Sequence, residues 1–170
     1  ATHIGTLFAV LLYFWRDILL MLSGLSRQIT GQSGPGTRLA LYVIVATIPV
    51  FLAGYFGKDF IGLNLRSTEV IAWATLVFGL MLWVADKFGM TLRTVEHLRW
   101  SGVLFIGCAQ VLALIPGTSR SGITITAARI LGLERLEAAR FSMLLSIPAI
   151  LGAGVLSSCD LYQARDVVLG

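Results

Sequence analysis

Four uncharged runs of 16 to 20 residues, free of Asp, Glu, Lys and Arg, divide this chain. An α-helix needs about 20 mostly apolar residues to cross the hydrocarbon core of a bilayer. The runs are continuous rather than alternating, which favours helices over the strands of a barrel. The pattern predicts an all-α polytopic membrane helix bundle, a single membrane domain over residues 1–170. Its expected spans are about 1–25, 39–57, 69–85 and 141–159.

The composition supports this prediction. Apolar residue types make up 56% of the 170 residues and charged types only 13%, too few to cover a soluble core. The net charge of +4 would indicate nucleic acid in a soluble chain, but here it is expected to mark cytoplasmic connectors. We therefore expect membrane lipids, and no nucleic acid, as partners. Cys108 and Cys159 lie in apolar runs without metal-ligand spacing and are interpreted as small buried residues.

Basic residues are concentrated in or beside the connectors 31–36, 86–99 and 132–140. The positive-inside rule places all of these connectors in the cytoplasm. Residues 100–131 must then leave the cytoplasmic side and return to it. We expect a re-entrant hairpin there, with one helix at about 100–115 and a short second helix at about 121–131. Non-helical backbone at membrane depth must be buried in protein or line a wet cavity, so the loop predicts a site.

The loop from Pro116 to Thr124 has the chemistry of an oxyanion site. A proline stops the first helix, glycines allow a close backbone approach, and the second helix begins directly afterwards. An arginine inside an apolar segment is costly unless it is paired or hydrated, and its planar fork suits a phosphate or diphosphate. The residues concerned are Gly117, Thr118, Ser119, Arg120, Ser121, Gly122 and Thr124.

Other interpretations of these residues remain open. Arg120 could reach an interface or pair with a carboxylate for packing, and the hydroxyls could serve only helix packing. His3 and His97 lie far from the loop in sequence, and neither a Walker loop nor a nucleophile elbow is present. The stretch 46–50 resembles 145–149, each with a proline after a hydroxyl residue, but five residues are too few to establish a repeat.

The stretch from Ala109 to Thr124 resembles the second signature of bacterial undecaprenyl-diphosphate phosphatases, also called bacitracin-resistance proteins. The core Pro-Gly-x-Ser-Arg-Ser-Gly-x-Thr is a hallmark of that family, and weaker similarity covers about residues 1–160. The resemblance implies an enzyme that hydrolyses undecaprenyl diphosphate to undecaprenyl phosphate and phosphate in the bacterial inner membrane. It also implies an inverted-repeat fold with paired re-entrant helices, of which this chain would supply about half.

The resemblance also implies roles for individual residues. Arg120, Ser119 and Thr124 are expected to be catalytic, and no residue of the chain is expected to bind metal. Mg²⁺ or Ca²⁺ would be held by two glutamates of a first family signature, upstream of the part matched here, which also contains the histidine assigned to catalysis. We therefore expect an incomplete chain that is inactive alone, bound to a polyprenyl diphosphate lipid, with a homodimer left open. The expected substrate-binding residues are Gln110, Gly117, Thr118, Ser121 and Gly122.

Two further functions were weighed against phosphatase activity. A transporter or flippase for an anionic polyprenyl lipid is the alternative, because broken helices also form anion sites in secondary transporters. Type-two phosphatidate phosphatases share a Ser-Arg pair but need a histidine and an acidic partner shortly downstream. Residues 121–133 contain neither, so this function is rejected.

Overall fold

Seven α-helices make up most of the chain that the structure describes. This computed structural model describes the backbone of residues 2–29, 34–65, 67–89 and 93–169; the side chains of His3, Cys159 and the pair 58–59 lie outside the described residues. An isolated bridge joins residues 93 and 133, and the described residues contain no β-strand, which confirms the all-α prediction. The helices are α1 (Thr2–Tyr13), α2 (Trp15–Ile29), α3 (Pro35–Asn64), α4 (Thr68–Phe88), α5 (Trp100–Val111), α6 (Arg120–Ile130) and α7 (Arg135–Leu169).

Two of the described helical segments are long and apolar enough to cross a membrane. They are Pro35–Gly57, within α3, and Thr68–Phe88, which is α4. These segments contain the expected spans 39–57 and 69–85. The expected span 141–159 falls within α7, a continuous helix of 35 residues. The fold is that of an all-α membrane protein.

The segment expected to form the first span, about residues 1–25, is two helices rather than one. Helix α1 ends at Tyr13, and α2 begins at Trp15 after a bend. Helix α2 carries Arg16 and Asp17 in its first turn. Charged side chains are costly in lipid unless they pair with an opposite charge or a hydrogen-bond partner. Asp17 accepts hydrogen bonds from Arg140 of α7, one of them 3.1 Å long from Nε. These bonds raise the pKa of Arg140, so its guanidinium remains charged.

The core lies where α3, α5, α6 and α7 meet. Small residues allow the helices to approach closely, as is typical of membrane bundles. A Cβ atom added to Gly107 of α5 would stand 2.6 Å from the carbonyl oxygen of Ala46 on α3. Ala127 and Ala128 of α6 are likewise fully buried. Helix α4 packs mainly on α6, and most of its apolar side chains are exposed.

The hairpin over residues 100–131 has two short arms. Helix α5 contains 12 residues and α6 contains 11, which at 1.5 Å per residue gives lengths of about 18 and 17 Å. A hydrocarbon core is about 30 Å thick, so neither arm could cross it alone. A short 3-10 turn at Leu112–Leu114 and a loop ending at Ser119 join the arms. The helix–loop–helix order matches the expectation, and the re-entrant placement in the membrane stays a prediction.

The basic connectors meet at one end of the bundle. Arg93 N donates to Gly132 O at 3.1 Å, and Glu134 N donates back to Arg93 O at 3.0 Å. Val95 N donates to the Glu137 carboxylate at 3.2 Å. The described residues of the connectors 86–99 and 132–140 therefore lie together, and segments in contact lie on the same side of a membrane.

Arg129 joins α6 to α4 at this end. Its side chain is only 1% exposed, yet it donates to the carbonyl oxygens of Leu133 at 2.6 Å and of Asp86 and Gly89, both at 3.1 Å. Its Nε also lies 3.4 Å from the Asp86 carboxylate. The last carbonyl groups of a helix lack intrahelical donors and carry partial negative charge, so a cation is favourable there. Arg135 pairs with the same carboxylate from the surface, with a 69% exposed side chain.

We predict that Arg129→Met destabilises the fold much more than Arg135→Met. The first substitution leaves buried carbonyl groups without donors, at about 1–3 kcal/mol for each unpaired group. The second removes an exposed ion pair and should leave the unfolding midpoint unchanged within error. Unfolding of purified variants in detergent, followed by circular dichroism, measures both. Equal midpoints for the two variants would contradict the role assigned to Arg129.

Candidate functional site

The N-terminus of α6 opens onto the loop. Ser119 is the N-cap residue, and its Oγ accepts a hydrogen bond from Gly122 N at 3.2 Å. Ile123 N donates to the carbonyl oxygen of Ser119 at 2.9 Å. Among the described residues, the amides of Arg120 and Ser121 have no acceptor. Two free N–H groups and the positive end of the helix therefore remain for an anion.

Two serine hydroxyls stand beside these amides. Ser119 is exposed and Ser121 is half-buried, and their Oγ atoms lie 3.4 Å apart. Ser119 Oγ uses a lone pair to accept from Gly122 N, so the proton of the Ser119 hydroxyl can be donated to a ligand. The structure thus brings together two of the predicted site residues at the mouth of the loop.

Arg120 is half-buried and is held by α7. Its Nη2 donates to the carbonyl oxygen of Leu145 at 2.6 Å. This carbonyl is next to that of Leu144, which Pro148 leaves without its usual helical donor. Within the described part of the chain, the guanidinium pairs with this carbonyl and not with a carboxylate. A guanidinium has five N–H donors, so most of them remain available to oxygens of a ligand.

Thr124 lies behind the loop rather than at its mouth. The residue is 2% exposed, and its Oγ1 stands 2.6 Å from Ser142 Oγ on α7. The same atom is 3.1 Å from the carbonyl oxygens of both Arg120 and Ser121. Contact with a substrate would require this hydroxyl to leave its present partners. The structure does not place Thr124 with the two serines, and its catalytic role stays a prediction.

Gly117 lets the loop pack on α4. Its φ is +93°, and an added Cβ would stand 2.5 Å from the carbonyl oxygen of Ile71. Thr75 of α4 donates through Oγ1 to the Gly117 carbonyl at 3.0 Å. Thr75 was not recognised from the sequence, because a threonine inside an apolar helix has no local feature that marks a long-range contact.

Two polar side chains on the hairpin are buried without partners. Gln110, in the last turn of α5, is 0% exposed, and neither its Nε2 nor its Oε1 has a hydrogen-bond partner. The Oγ1 atom of Thr118 is also buried and has no hydrogen-bond partner. A buried polar group left unpaired costs about 1–3 kcal/mol, so such groups usually have a partner such as water or a ligand. Both were predicted substrate-binding residues, and their assignment stays a prediction.

The described residues do not form a site for a divalent cation by themselves. They contain no group of three or more His, Cys, Asp or Glu side chains that could hold a metal ion. The hairpin offers neutral oxygens, such as Gln110 Oε1 of α5, whereas Mg²⁺ and Ca²⁺ sites rely on carboxylates. The expected Mg²⁺ or Ca²⁺ therefore stays a prediction, and no chemical step is derived through it.

The loop lies near the end of the bundle opposite the basic connectors. Its contacts on α4, Ile71 and Thr75, follow the first residue of that helix by three and seven positions. At 1.5 Å per residue these positions are about 5 and 10 Å from the end of the helix. Leu114, just before the loop, lies beside Gly54, close to the end of the apolar part of α3 at residue 57.

The fold and the loop define an all-α membrane protein with a short helical hairpin, whose turn presents two free amides beside a half-buried arginine. The family described as bacitracin resistance protein BacA matches residues 1–169. The chain belongs to this family, which confirms the resemblance seen in the sequence.

Curated relatives agree with this assignment. An undecaprenyl-diphosphatase of Alcanivorax borkumensis is 52% identical over 169 residues, which cover 99% of this chain and 64% of the relative. One from Ruegeria pomeroyi is 51% identical, over 98% of this chain and 63% of the relative. Undecaprenyl-diphosphatase 1 of Rhodospirillum rubrum is 50% identical, over 96% of this chain and 58% of the relative. The chain spans about three fifths of the length of these relatives.

We predict that Gly117→Ala disrupts the loop, whereas Gly79→Ala does not. Residue 117 has a left-handed backbone, which costs an L-residue about 1–2 kcal/mol, and its new methyl group would meet the α4 backbone. Gly79 lies within α4 itself, but an added Cβ there meets nothing within 4 Å, and alanine favours the helix. Unfolding midpoints of both variants in detergent test this, and an unchanged midpoint for Gly117→Ala would show that the loop does not require glycine.

Proposed function

We propose that this chain takes part in hydrolysing undecaprenyl diphosphate to undecaprenyl phosphate and inorganic phosphate, which recycles the lipid carrier of cell-wall synthesis. The observation that carries the proposal is the half-buried Arg120 beside two free amides of α6, inside a hairpin too short to cross a membrane. Identity of about 50% to proteins named undecaprenyl-diphosphatase supports the choice of substrate.

In this proposal the chain binds the diphosphate and neutralises its charge. The terminal phosphoryl group accepts hydrogen bonds from the amides of Arg120 and Ser121 and from the Ser119 hydroxyl. The Arg120 fork donates to two oxygens at once as the bond between phosphorus and the bridging oxygen breaks and water adds. Phosphoryl transfer depends mainly on positioning and electrostatic stabilisation of this kind. Gln110 and Thr118, buried without partners, are available to the same ligand.

A divalent cation remains part of the proposal. Mg²⁺ or Ca²⁺ would neutralise further charge on the diphosphate when bound. Its carboxylate ligands would come from outside residues 97–133, which contain no acidic side chain.

The proposed location is a bacterial inner membrane, which the chain crosses several times. The positive-inside rule places the connected segments 86–99 and 132–140 in the cytoplasm. The loop, near the opposite end of α4, then opens towards the outer side. The prenyl tail would remain in the lipid that surrounds the exposed apolar face of α4, and a homodimer would instead bury that face.

We predict that Arg120→Ala lowers phosphate release about 100- to 1000-fold, the usual effect of removing one preorganised electrostatic partner. Arg120→Lys keeps the charge but not the planar fork, and should recover only part of the activity. The assay uses a chimera in which residues 1–169 replace the matching segment of the Alcanivorax borkumensis relative. Release of inorganic phosphate from undecaprenyl diphosphate is measured in detergent at a constant Mg²⁺ concentration.

One control variant and two contrary outcomes make this experiment decisive. Arg135→Ala removes an exposed arginine far from the loop and should leave turnover unchanged. Near wild-type turnover by Arg120→Ala would show that the arginine serves only its bond to Leu145. Movement of intact diphosphate lipid across vesicles, without phosphate release by the wild-type chimera, would instead favour the transporter alternative.

We further predict the topology from single cysteines in the chimera, with all native cysteines replaced. Glu96→Cys and Leu136→Cys lie in the two joined connectors and should resist a membrane-impermeant thiol reagent in intact cells. Thr68→Cys, at the opposite end of α4, should react with it. All three native residues are exposed, so reactivity reports the side of the membrane. Labelling of only one of the two connector positions would contradict the re-entrant hairpin.

A further inference from the structure

One turn of α7 contacts the start of α6 through two separate bonds. Leu145 O accepts from the Arg120 guanidinium at 2.6 Å, and Ser142 Oγ lies 2.6 Å from Thr124 Oγ1. Ser142 and Thr124 are both buried, at 4% and 2% exposure. No local feature of the sequence marks Ser142, which lies in the uncharged run 141–159.

The protons of the two hydroxyls can be assigned from the distances. Thr124 has one proton and two carbonyl acceptors in the first turn of α6, Arg120 O and Ser121 O, both at 3.1 Å. If Thr124 donates to either carbonyl, its own oxygen is free to accept the proton of Ser142 at 2.6 Å. The other acceptor for Ser142, the Ser121 carbonyl, is more distant at 3.4 Å. In the favoured arrangement, Ser142 therefore donates to Thr124, and Thr124 donates to a carbonyl oxygen in the first turn of α6.

We propose that Ser142 is a positioning residue, which acts through Thr124 to hold the first turn of α6 at the orientation that presents its free amides. The proposal rests on the proposed function, since those amides are the ones assigned to the diphosphate. Ser142 itself does not touch the substrate. Because both hydroxyls are buried, solvent does not readily replace the Ser142 proton, and its loss leaves Thr124 without a cross-helix donor.

Ser146, one helical turn further along α7, provides a matched control. Its Oγ donates to the Met143 carbonyl of its own helix at 2.6 Å. Ser142→Ala and Ser146→Ala therefore remove the same atom from the same helix, but only the first removes a bond to α6.

The activity experiment uses the chimera of residues 1–169 with the Alcanivorax borkumensis relative and undecaprenyl diphosphate as the probe. We expect Ser142→Ala to lower kcat/KM about five- to tenfold, the effect of one neutral hydrogen bond of about 1 kcal/mol. Ser146→Ala should remain at the wild-type value. Thr124→Ser keeps the hydroxyl and should retain most of the activity, whereas Thr124→Val should not.

A double substitution separates positioning from general loss of stability. If Ser142 acts only through Thr124, Thr124→Val/Ser142→Ala should be no less active than Thr124→Val alone. Multiplicative losses in the double variant would overturn the proposal. Equal losses for Ser142→Ala and Ser146→Ala would overturn it as well, because they would reflect α7 packing in general.

Hydrogen exchange tests the same link without any activity. In the 170-residue chain in detergent, Ser142→Ala should speed exchange of the amides of Gly122 and Ile123 at the start of α6, and Ser146→Ala should not. Should Ser142→Ala fail to fold, Ser142→Cys replaces the hydroxyl with a much weaker thiol donor in a side chain of similar shape and carries the same expectation. Unchanged exchange in the Ser142 variant would overturn the proposal. A wild-type chimera that releases no phosphate would instead overturn the proposed function and leave this result standing.

Discussion

A buried arginine, Arg129, donates to three main-chain carbonyl oxygens that belong to the end of α4 and to the turn after α6. In an apolar environment each backbone group that lacks a helical partner must find one within the protein. The same solution recurs where Arg120 donates to Leu145 O and where Arg38 and Tyr42 both approach Leu98 O. Arginine suits these places because its donors spread over one plane and reach several oxygens at once. The hairpin can therefore begin and end at the same end of the bundle, and these carbonyl groups still have hydrogen-bond donors.

The two arms of the hairpin are held by different kinds of contact. Helix α5 packs on α3 through Gly107 and the backbone of Ala46, a contact between small residues. Helix α6 is joined to α7 by polar side chains. Ala46 and Leu145 each stand three residues before a proline, in the two short stretches that resemble one another in sequence. Each proline-containing helix thus presents its backbone to one arm, so the short similarity corresponds to a shared structural role.

Much of this arrangement follows from the sequence, because charge-free runs and basic connectors obey simple physical rules. Helices α3 and α4 and the loop after Pro116 were predictable from these features alone. The break before Trp15 was not, and the pairing of Asp17, just after the break, with Arg140 joins positions 123 residues apart in the chain. Thr75 and Ser142 were also missed, because a hydroxyl inside an apolar helix appears the same whether it bonds its own turn or a distant one. Thr124 was predicted as a site residue, and only tertiary contacts reveal that its hydroxyl faces α7.

The position of Pro148 has a mechanical consequence for the site. A proline inside a helix removes one backbone hydrogen bond and lowers the resistance to bending there. The turn of α7 that contacts Arg120 and Thr124 lies wholly before this residue. When a bilayer becomes thicker or thinner, helices respond by tilting or bending, and a bend of α7 at this proline would move mainly the part of the helix beyond it. The turn at residues 142–145 would then keep its contacts with α6, and the loop would be mechanically insulated from the thickness of the membrane around it.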